Sequence, residues 1–493
     1  MSRIVVHGHF YQPPRENPWT GEVDEQPSAA PFHDWNERVH DECYRPNTRV
    51  QIDGREVNNF ERISFNIGPT LLGWMEAAGP DEYARILEAD AASIARVGRG
   101  NALAQAYHHS ILPLARRRDV RTEIRWGVAD FRHRFGREPE GMWLAETAAN
   151  EDVLAELIDE GITFTVLAPY QAALWRLDGG PWNDVRDEPL DTRVAYRFAH
   201  PDGSGRSLAI FFYDAEISRA IAFERAPSSA SRFVDLFADR SRGYGIVNAA
   251  TDGETYGHHQ KFSDLGLAYA LFTEAPARGI EVTNYAAELA ANPPAGEVRL
   301  VEGEGSSWSC FHGVGRWKRD CGCSTGGEPG WNQSWRLPLR TALEIAKAGA
   351  DDAYARLGHM IFRDPWGARD RYIQVVLSRI EDEEFVRREA GRSLDPDEVA
   401  RGKILLDMQR NALAMFTSCA WFFNDLSGIE TVQILRYAAR ALELIDELGA
   451  PVPIDEFVGT LATARSNVPE QGTGADIFLR VLENDARAAI SRS

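Results

Sequence analysis

The 493-residue chain has only 5 cysteines, an odd number. A disulfide-stapled scaffold is thereby excluded, and reduced thiols are the expectation. No apolar run reaches about 18 residues, so no transmembrane helix is predicted. Met1 is followed at once by RIVVHGHF, with no basic stretch ahead of an apolar one. No secretory signal is read there, and a cytoplasmic protein is expected. Positive charge is also in deficit: Lys+Arg 54 against Asp+Glu 74, a formal net charge of −20. That balance repels nucleic acid and anionic membranes, so neither is an expected partner. Internal repeats and low-complexity tracts are absent too, and oligomeric state is left open.

What is present is ordinary globular composition, 44% hydrophobic and 26% charged, on a chain long enough for two or three domains. RIVVHGHF (3–10), ISFNI (63–67), GMWLAE (141–146), TFTVLAP (163–169), SLAIFFYD (207–214) and GIVNAATD (245–252) read as strands. Helical segments separate them, such as DVRTEIRWGVADFRHRFG (119–136), which ends at a glycine. Alternation of this kind predicts a parallel sheet or barrel, with an active site at the C-terminal strand ends. After about residue 335 apolar residues recur at helical spacing almost throughout. NALAMFTSCAWFF (411–423) reads as a core helix, and EDEEFVRREAGRSLDPDE (381–398) as a solvated excursion.

Three strand ends carry titratable groups. His7 and His9 lie two apart, so a strand would point both to one face; the alternative is a pair of satisfied core histidines. Glu146 ends an apolar strand three residues after Trp143, an expensive place for a charge that is neither paired nor used. In ATDGETYGHH (250–259), Asp252 and Glu254 are again two apart. Two carboxylates that close push one pKa upward, which makes a proton donor at neutral pH. A plain helix-start cluster would look the same. One carboxylate on each of two strand ends, among His and Trp, is what glycoside cleavage needs. Aromatic faces suit the apolar face of a sugar, and the glycine-rich stretch 306–338 holds Trp308, Trp317, Trp331 and Trp335 of the chain's 13 tryptophans. A structural interface would explain that cluster equally well. The same stretch holds Cys310, Cys321 and Cys323, which leave metal binding and a disulfide both open; a zinc site would need His312 as fourth ligand, in a spacing that matches no usual zinc pattern.

These residues, in this order, resemble glycoside hydrolase family 57. HGHFYQP resembles its first motif, QAYHHSILPL (105–114) its second, GMWLAETA its third and TDGETYGHH its fourth. The C-terminal part is similar to a subgroup that carries a further domain of unknown function. The resemblance implies an α/β fold, an incomplete (β/α)7 barrel over residues 1–335, followed by an α-helical domain (336–493) that closes over the active-site cleft. It implies retaining chemistry on α-glucans by an amylase, 4-α-glucanotransferase or branching enzyme, with an oligo- or polysaccharide substrate, no cofactor and no catalytic metal. By carry-over Glu146 is the nucleophile and Asp252 the general acid/base. His7, His9, His109, Trp143, Glu254, Trp308, Trp331 and Trp335 would bind substrate, with Asp320 (or Asp364) as the acid of a fifth motif. The chain departs from the pattern where Phe10-Tyr11 stands before Gln12-Pro13. Two other readings stay open: a metal-dependent amidohydrolase-type enzyme built on His7 and His9, and a catalytically silent glucan-binding protein.

Overall fold

A computed structural model describes residues 2–492. The chain forms two compact units: Met1–Gln12, Glu25–Tyr107 and Phe131–Trp308 in one, Pro13–Asp24, His108–Asp130 and Ser309–Ser493 in the other.

The first unit is built on seven parallel strands: β1 (Arg3–Phe10), β2 (Ser64–Ile67), β3 (Ala104–Gln105), β4 (Met142–Trp143), β5 (Phe164–Leu167), β6 (Ser207–Phe212) and β7 (Val247–Asp252). β1 lies between β2 and β7, all three buried along most of their length because apolar residues face both sides. β2 continues to β3 through Leu103 N–H to Phe65 O, and β3 pairs with β4 at Gln105 and Trp143. A parallel bridge from Gly141 to Phe164 passes the order to β5, which pairs with β6. The ring does not close by a ladder. The free edge of β6 is occupied by an antiparallel strand, Tyr196–Ala199, which begins a side sheet with Gly296–Leu300 and Ala172–Leu177. Among the described residues β7 is joined to the end of β6 by two bonds, Asp214 N–H to Asn248 O (2.8 Å) and Asn248 Nδ2 to Phe212 O (3.1 Å). This is the expected incomplete (β/α)7 barrel, and the side sheet is the reason it is incomplete.

Register does the positioning. His9 lies level with Asn66 on one side and Asp252 on the other, and His7 with Ser64 and Ala250. Phe10 at the end of β1 fills the space beside two glycines: a Cβ on Gly253 would meet its ring at 2.3 Å and one on Gly8 at 2.7 Å.

The second unit is helical, with long helices over Arg336–Ile361, Pro396–Ala414 and Ile429–Glu447. Two expectations are corrected here. The 411–423 segment is not one helix: it stops at Ala414 and resumes at Cys419–Phe422. In the break, Thr417 Oγ1 donates to His108 O and Ser418 Oγ bonds His109 Nδ1, long-range side-chain bonds that hold the chain out of the helix. The charged 381–398 stretch is not an excursion: Asp382–Ala390 is a helix that buries Phe385, Val386 and Ala390, stopped by Gly391 at φ 66°. No helix among the described residues is long and apolar enough to cross a membrane.

A buried charge cluster binds this unit. Asp119 accepts from Arg369 Nη1 (2.6 Å) and pairs with Lys347 (3.1 Å), while Gln409 bridges Arg369 and Asp351. Burial alone would raise the Asp119 carboxyl, but Lys347 and then Arg369 outweigh it and hold the group down at about 2. A depressed carboxylate stabilises the fold above its unfolded pKa and loses that contribution as pH falls through the folded value, here between about 4 and 2. Removing one member leaves buried charge uncompensated, so Asp119→Ala should lower stability by about 3–5 kcal/mol in denaturant titration at pH 7. A loss under about 1 kcal/mol would mean that Asp351, which also pairs with Lys347 at 2.5 Å, and water balance the two cations without Asp119.

Candidate active site

The C-terminal ends of β1, β2, β4 and β7 gather the titratable groups of the first unit. His7 and His9 share a face, as their spacing implies, and both rings stack on Trp143, with centroids 4.6 and 5.2 Å away. Asn66 sits between them. Its Oδ1 faces His7 Nε2 at 3.1 Å, and its Nδ2 donates to His9 Nδ1 at 2.9 Å and to Gln105 Oε1 at 2.6 Å. A carbonyl oxygen can only accept and an amide nitrogen only donate. His7 therefore carries its proton on Nε2, and His9 on Nε2 with Nδ1 bare. Burial lowers both histidines to about 3, so both are neutral at physiological pH. One asparagine thus fixes two tautomers.

Glu146 lies just past β4, with left-handed backbone at φ 57°, and Thr147 follows at φ 51°. Two consecutive non-glycine residues in that region are strained and need support. Gln171 supplies it: Thr147 Oγ1 donates to Gln171 Oε1 (2.8 Å), and Gln171 Nε2 donates to Thr147 O (2.8 Å) and Ser306 O (3.1 Å). Ala149 and Ser306 exchange both backbone bonds, drawing the 306–308 segment alongside. At its end Trp308 donates N–H to Glu146 O and Nε1–H to Glu146 Oε2, each at 3.0 Å.

Asp252 ends β7 and is open to solvent. Among the described residues no hydrogen bond or ion pair holds its carboxyl. Water reaches it, but protein crowds it on most sides: this crowding first, then the negative charge of Glu146, push it up to about 7. Glu254 takes a different path from the expected shared strand face. The strand stops at Asp252, and the tight turn Gly253–Thr255 carries Glu254 inward. Its Oε1 accepts from Tyr44 OH (2.6 Å) and Tyr11 N–H (2.9 Å), and Tyr44 is bonded in turn by the Gln12 side chain. Burial, then the charge of Asp252, outweigh these bonds and raise Glu254 to about 8. The inserted Phe10-Tyr11 pair is so accounted for: Phe10 fills the glycine cradle, Tyr11 fixes Glu254 through its backbone, and Gln12 reaches it through Tyr44. The two histidines that close the motif serve structure: His258 Nδ1 pairs with Glu42 (2.5 Å), and His259 is held neutral by burial.

His7, His9, Trp143, Glu146, Asp252, Glu254 and Trp308 are thus brought together in the first unit. His7 and Trp143 are closed off from solvent and form its floor, while Trp308 is half-buried. His109, Asp320, Trp331 and Trp335 belong to the second unit. There His109, at φ 56°, bonds Ser418 Oγ through Nδ1 at 2.6 Å. Asp320 is exposed and accepts from Gly322 N–H, Trp331 is half-buried, and Trp335 is fully enclosed and offers no ring face to a ligand. The alternative metal centre on His7 and His9 finds no ligand set: among the described residues no group of three His, Cys, Asp or Glu converges there.

A family model described as glycosyl hydrolase family 57 matches residues 5–299, and a second, for a domain of unknown function (DUF3536), matches residues 331–489. No curated protein sequence matches the chain significantly. Solved structures share its fold at low identity. An exo-type maltose-forming amylase from Pyrococcus sp. ST04 superposes with a TM-score of 0.70 at 15% identity, over 93% of this chain and 82% of that one. A branching enzyme from Thermococcus kodakaraensis gives 0.55 at 16%, over 98% and 94%. A 4-alpha-glucanotransferase from Thermococcus litoralis gives 0.54 at 14%, over 91% of this chain and 60% of that one.

The Glu254 environment makes a pH prediction. Folded, the group keeps its proton up to about 8; unfolded, it releases it near 4.3. Its contribution to stability is therefore complete below about pH 4 and lost as pH rises through about 8. Glu254→Gln retains the acceptor for Tyr44 and Tyr11 but cannot ionise. The melting temperature of the variant relative to the native protein should rise from pH 5 to 8 and level off above. A pH-independent difference would place an ordinary, ionised carboxylate at this position.

Proposed function

Because the chain belongs to glycosyl hydrolase family 57, we propose that it cleaves α-1,4-glucosidic bonds with retention, using Glu146 as nucleophile and Asp252 as general acid/base. The observation that carries this reading is the pairing of Glu146, whose Oε2 accepts from Trp308, with an Asp252 that has no hydrogen-bond partner among the described residues and whose proton the charge of Glu146 helps to retain. Retaining enzymes divide two carboxyl groups between these roles at a separation of about 5–5.5 Å. The names of the similar structures support an α-glucan as substrate.

Asp252 gives its proton to the glycosidic oxygen as Glu146 attacks the anomeric carbon and the C–O bond breaks. A glycosyl ester on Glu146 results, and Asp252 is left ionised. With Glu146 now neutral as an ester, the repulsion that raised Asp252 is gone, and its carboxylate acts as base on the incoming hydroxyl. Transfer of that hydroxyl to the anomeric carbon releases Glu146 and restores the starting charges. Glu254, neutral below about pH 8 and bonded to Tyr44, lets Asp252 sit beside it without a third charge in the site. His9, level with Asp252 and held neutral by burial, adds no charge to the site. Whether water or a glucan hydroxyl accepts the glycosyl group decides between hydrolase, glucanotransferase and branching enzyme.

Incubation with maltoheptaose and amylose, with products separated by size and linkage, distinguishes these. Shorter sugars alone mean hydrolysis, a ladder of shorter and longer ones transfer, and new α-1,6 bonds branching; unchanged glucans would remove the α-glucan reading. Asp252→Asn should lower kcat/KM on a glucan about 10²–10⁴-fold, yet form the glycosyl-enzyme from α-maltosyl fluoride, whose leaving group needs no proton. Glu146→Gln should be inactive on both. For the native protein kcat/KM should fall as pH rises through about 7, where Asp252 loses its proton; a profile flat to pH 9 would point to another acid.

A further inference from the structure

The second unit holds a side-chain cluster that plays no part in the chemistry above. The ligand atoms of Cys310, His312, Cys321 and Cys323 all lie within 4.8 Å of one another. Cys310 Sγ is 3.8 Å from Cys321 Sγ and 3.7 Å from Cys323 Sγ, and Cys323 Sγ is 3.5 Å from His312 Nδ1. None of these cysteines is in a disulfide, whose sulfurs would be about 2.05 Å apart. A tetrahedron with zinc–sulfur bonds of about 2.3 Å and a zinc–nitrogen bond of about 2.0–2.1 Å places its sulfurs about 3.8 Å apart and sulfur from nitrogen about 3.6 Å. These three spacings are those of the edges of a zinc tetrahedron, and the other ligand atoms lie within 4.8 Å. We propose that Cys310, His312, Cys321 and Cys323 form a structural zinc site.

A second, independent feature points to the same ligand. Arg336 is fully buried. Its Nη1 donates to Cys323 O at 2.9 Å, but its Nε and Nη2 have no partner, and among the described residues no carboxylate pairs with it. A lone buried cation is costly unless an anion meets it. Three thiolates and one neutral imidazole around Zn²⁺ leave one negative charge in excess, which is the counter-charge Arg336 lacks. The ligands also favour zinc among metals: three soft sulfurs and an imidazole suit it, whereas magnesium and calcium take oxygen and iron–sulfur clusters are mostly held by four thiolates. All four protein ligands being present, the site is closed, as structural sites are.

The fold explains why the spacing escapes a sequence pattern. Each ligand pair is separated by one residue, Cys310 from His312 and Cys321 from Cys323, rather than by the two to four usual in zinc knuckles. Gly322 at φ 78° turns the chain between the last two sulfurs, and Asp320 caps that turn through Gly322 N–H. Between the pairs runs Trp317, whose Nε1 donates to Ser418 O (3.1 Å), and Ser418 Oγ is the partner of His109. Zinc binding, with release of the thiol protons, would pin this loop to the first turn of the helix Arg336–Ile361.

The test is metal analysis of the full-length chain, purified reduced and without a polyhistidine tag, then loaded with Zn²⁺ or with Co²⁺ as spectroscopic probe. About one zinc per chain, thiolate-to-cobalt charge-transfer absorption with tetrahedral d–d bands, and a fall in melting temperature on chelation are expected. Cys321→Ser should cut zinc retention at least about tenfold. As a control for folding, His312→Ala, an exposed ligand, is measured beside it and should weaken zinc binding about 10–100-fold with an unchanged circular dichroism spectrum. Less than about 0.1 zinc per chain after loading, cobalt spectra without thiolate bands, or zinc held undiminished by both variants would overturn the proposal.

Discussion

Two carboxyl groups share one barrel mouth, and their mutual repulsion is the constraint on which the site depends. Glu146 and Asp252 come from strands far apart in sequence, and each would ionise below pH 5 if exposed alone. Brought together and crowded by protein, they cannot both do so cheaply. The surroundings decide which gives way. Trp308 donates to Glu146 Oε2; among the described residues no group donates to the Asp252 carboxyl, which crowding and the charge of Glu146 raise to about 7. The two carboxyl groups thus differ in their surroundings by an indole N–H that Glu146 accepts.

The rest of the first unit holds that asymmetry in place. Glu146 stands on strained backbone, and Gln171 and the Ser306–Ala149 pairing fix it there. The parallel register of β1 with β2 and β7 sets His9 between Asn66 and Asp252. Asn66 then orients both histidines, and burial keeps them uncharged, so no cation stands beside Asp252 to lower its pKa. Gly253 lets Phe10 pack against the turn that follows, and that turn withdraws Glu254 to Tyr44. Stability and chemistry are thus supplied by the same few polar residues at strand ends.

Much of this was legible in the sequence, for identifiable reasons. Buried parallel strands read as apolar runs, so RIVVHGHF, SLAIFFYD and GIVNAATD announced themselves, and charged groups at their ends stood out. The side sheet did not: its strands alternate weakly, and only the pairing of Tyr196–Ala199 with β6 reveals why the barrel stays open. Asn66, Gln105 and Gln171 were missed because a polar residue at the end of a strand is ordinary until its partners are known. A signal existed for Asn66, an amide between Phe65 and Ile67 in a short buried strand. The broken helix at Thr417–Ser418 was invisible because its cause, His108 and His109, lies some 300 residues away. The cysteines of 310–323 failed as a pattern and succeed as a geometry, since two close-spaced pairs converge only after the loop has folded.

The most direct test of the account is to trap the glycosyl-enzyme. A fluorinated maltosyl fluoride, whose ring fluorine slows breakdown of the intermediate more than its formation, is incubated with the native protein, which is then digested and mapped by mass spectrometry. The account predicts one sugar ester on the peptide containing Glu146, at near-stoichiometric yield, and none when Glu146 is Gln. An ester on Asp252 or Glu254, or products of inverted configuration with no ester at all, would contradict it.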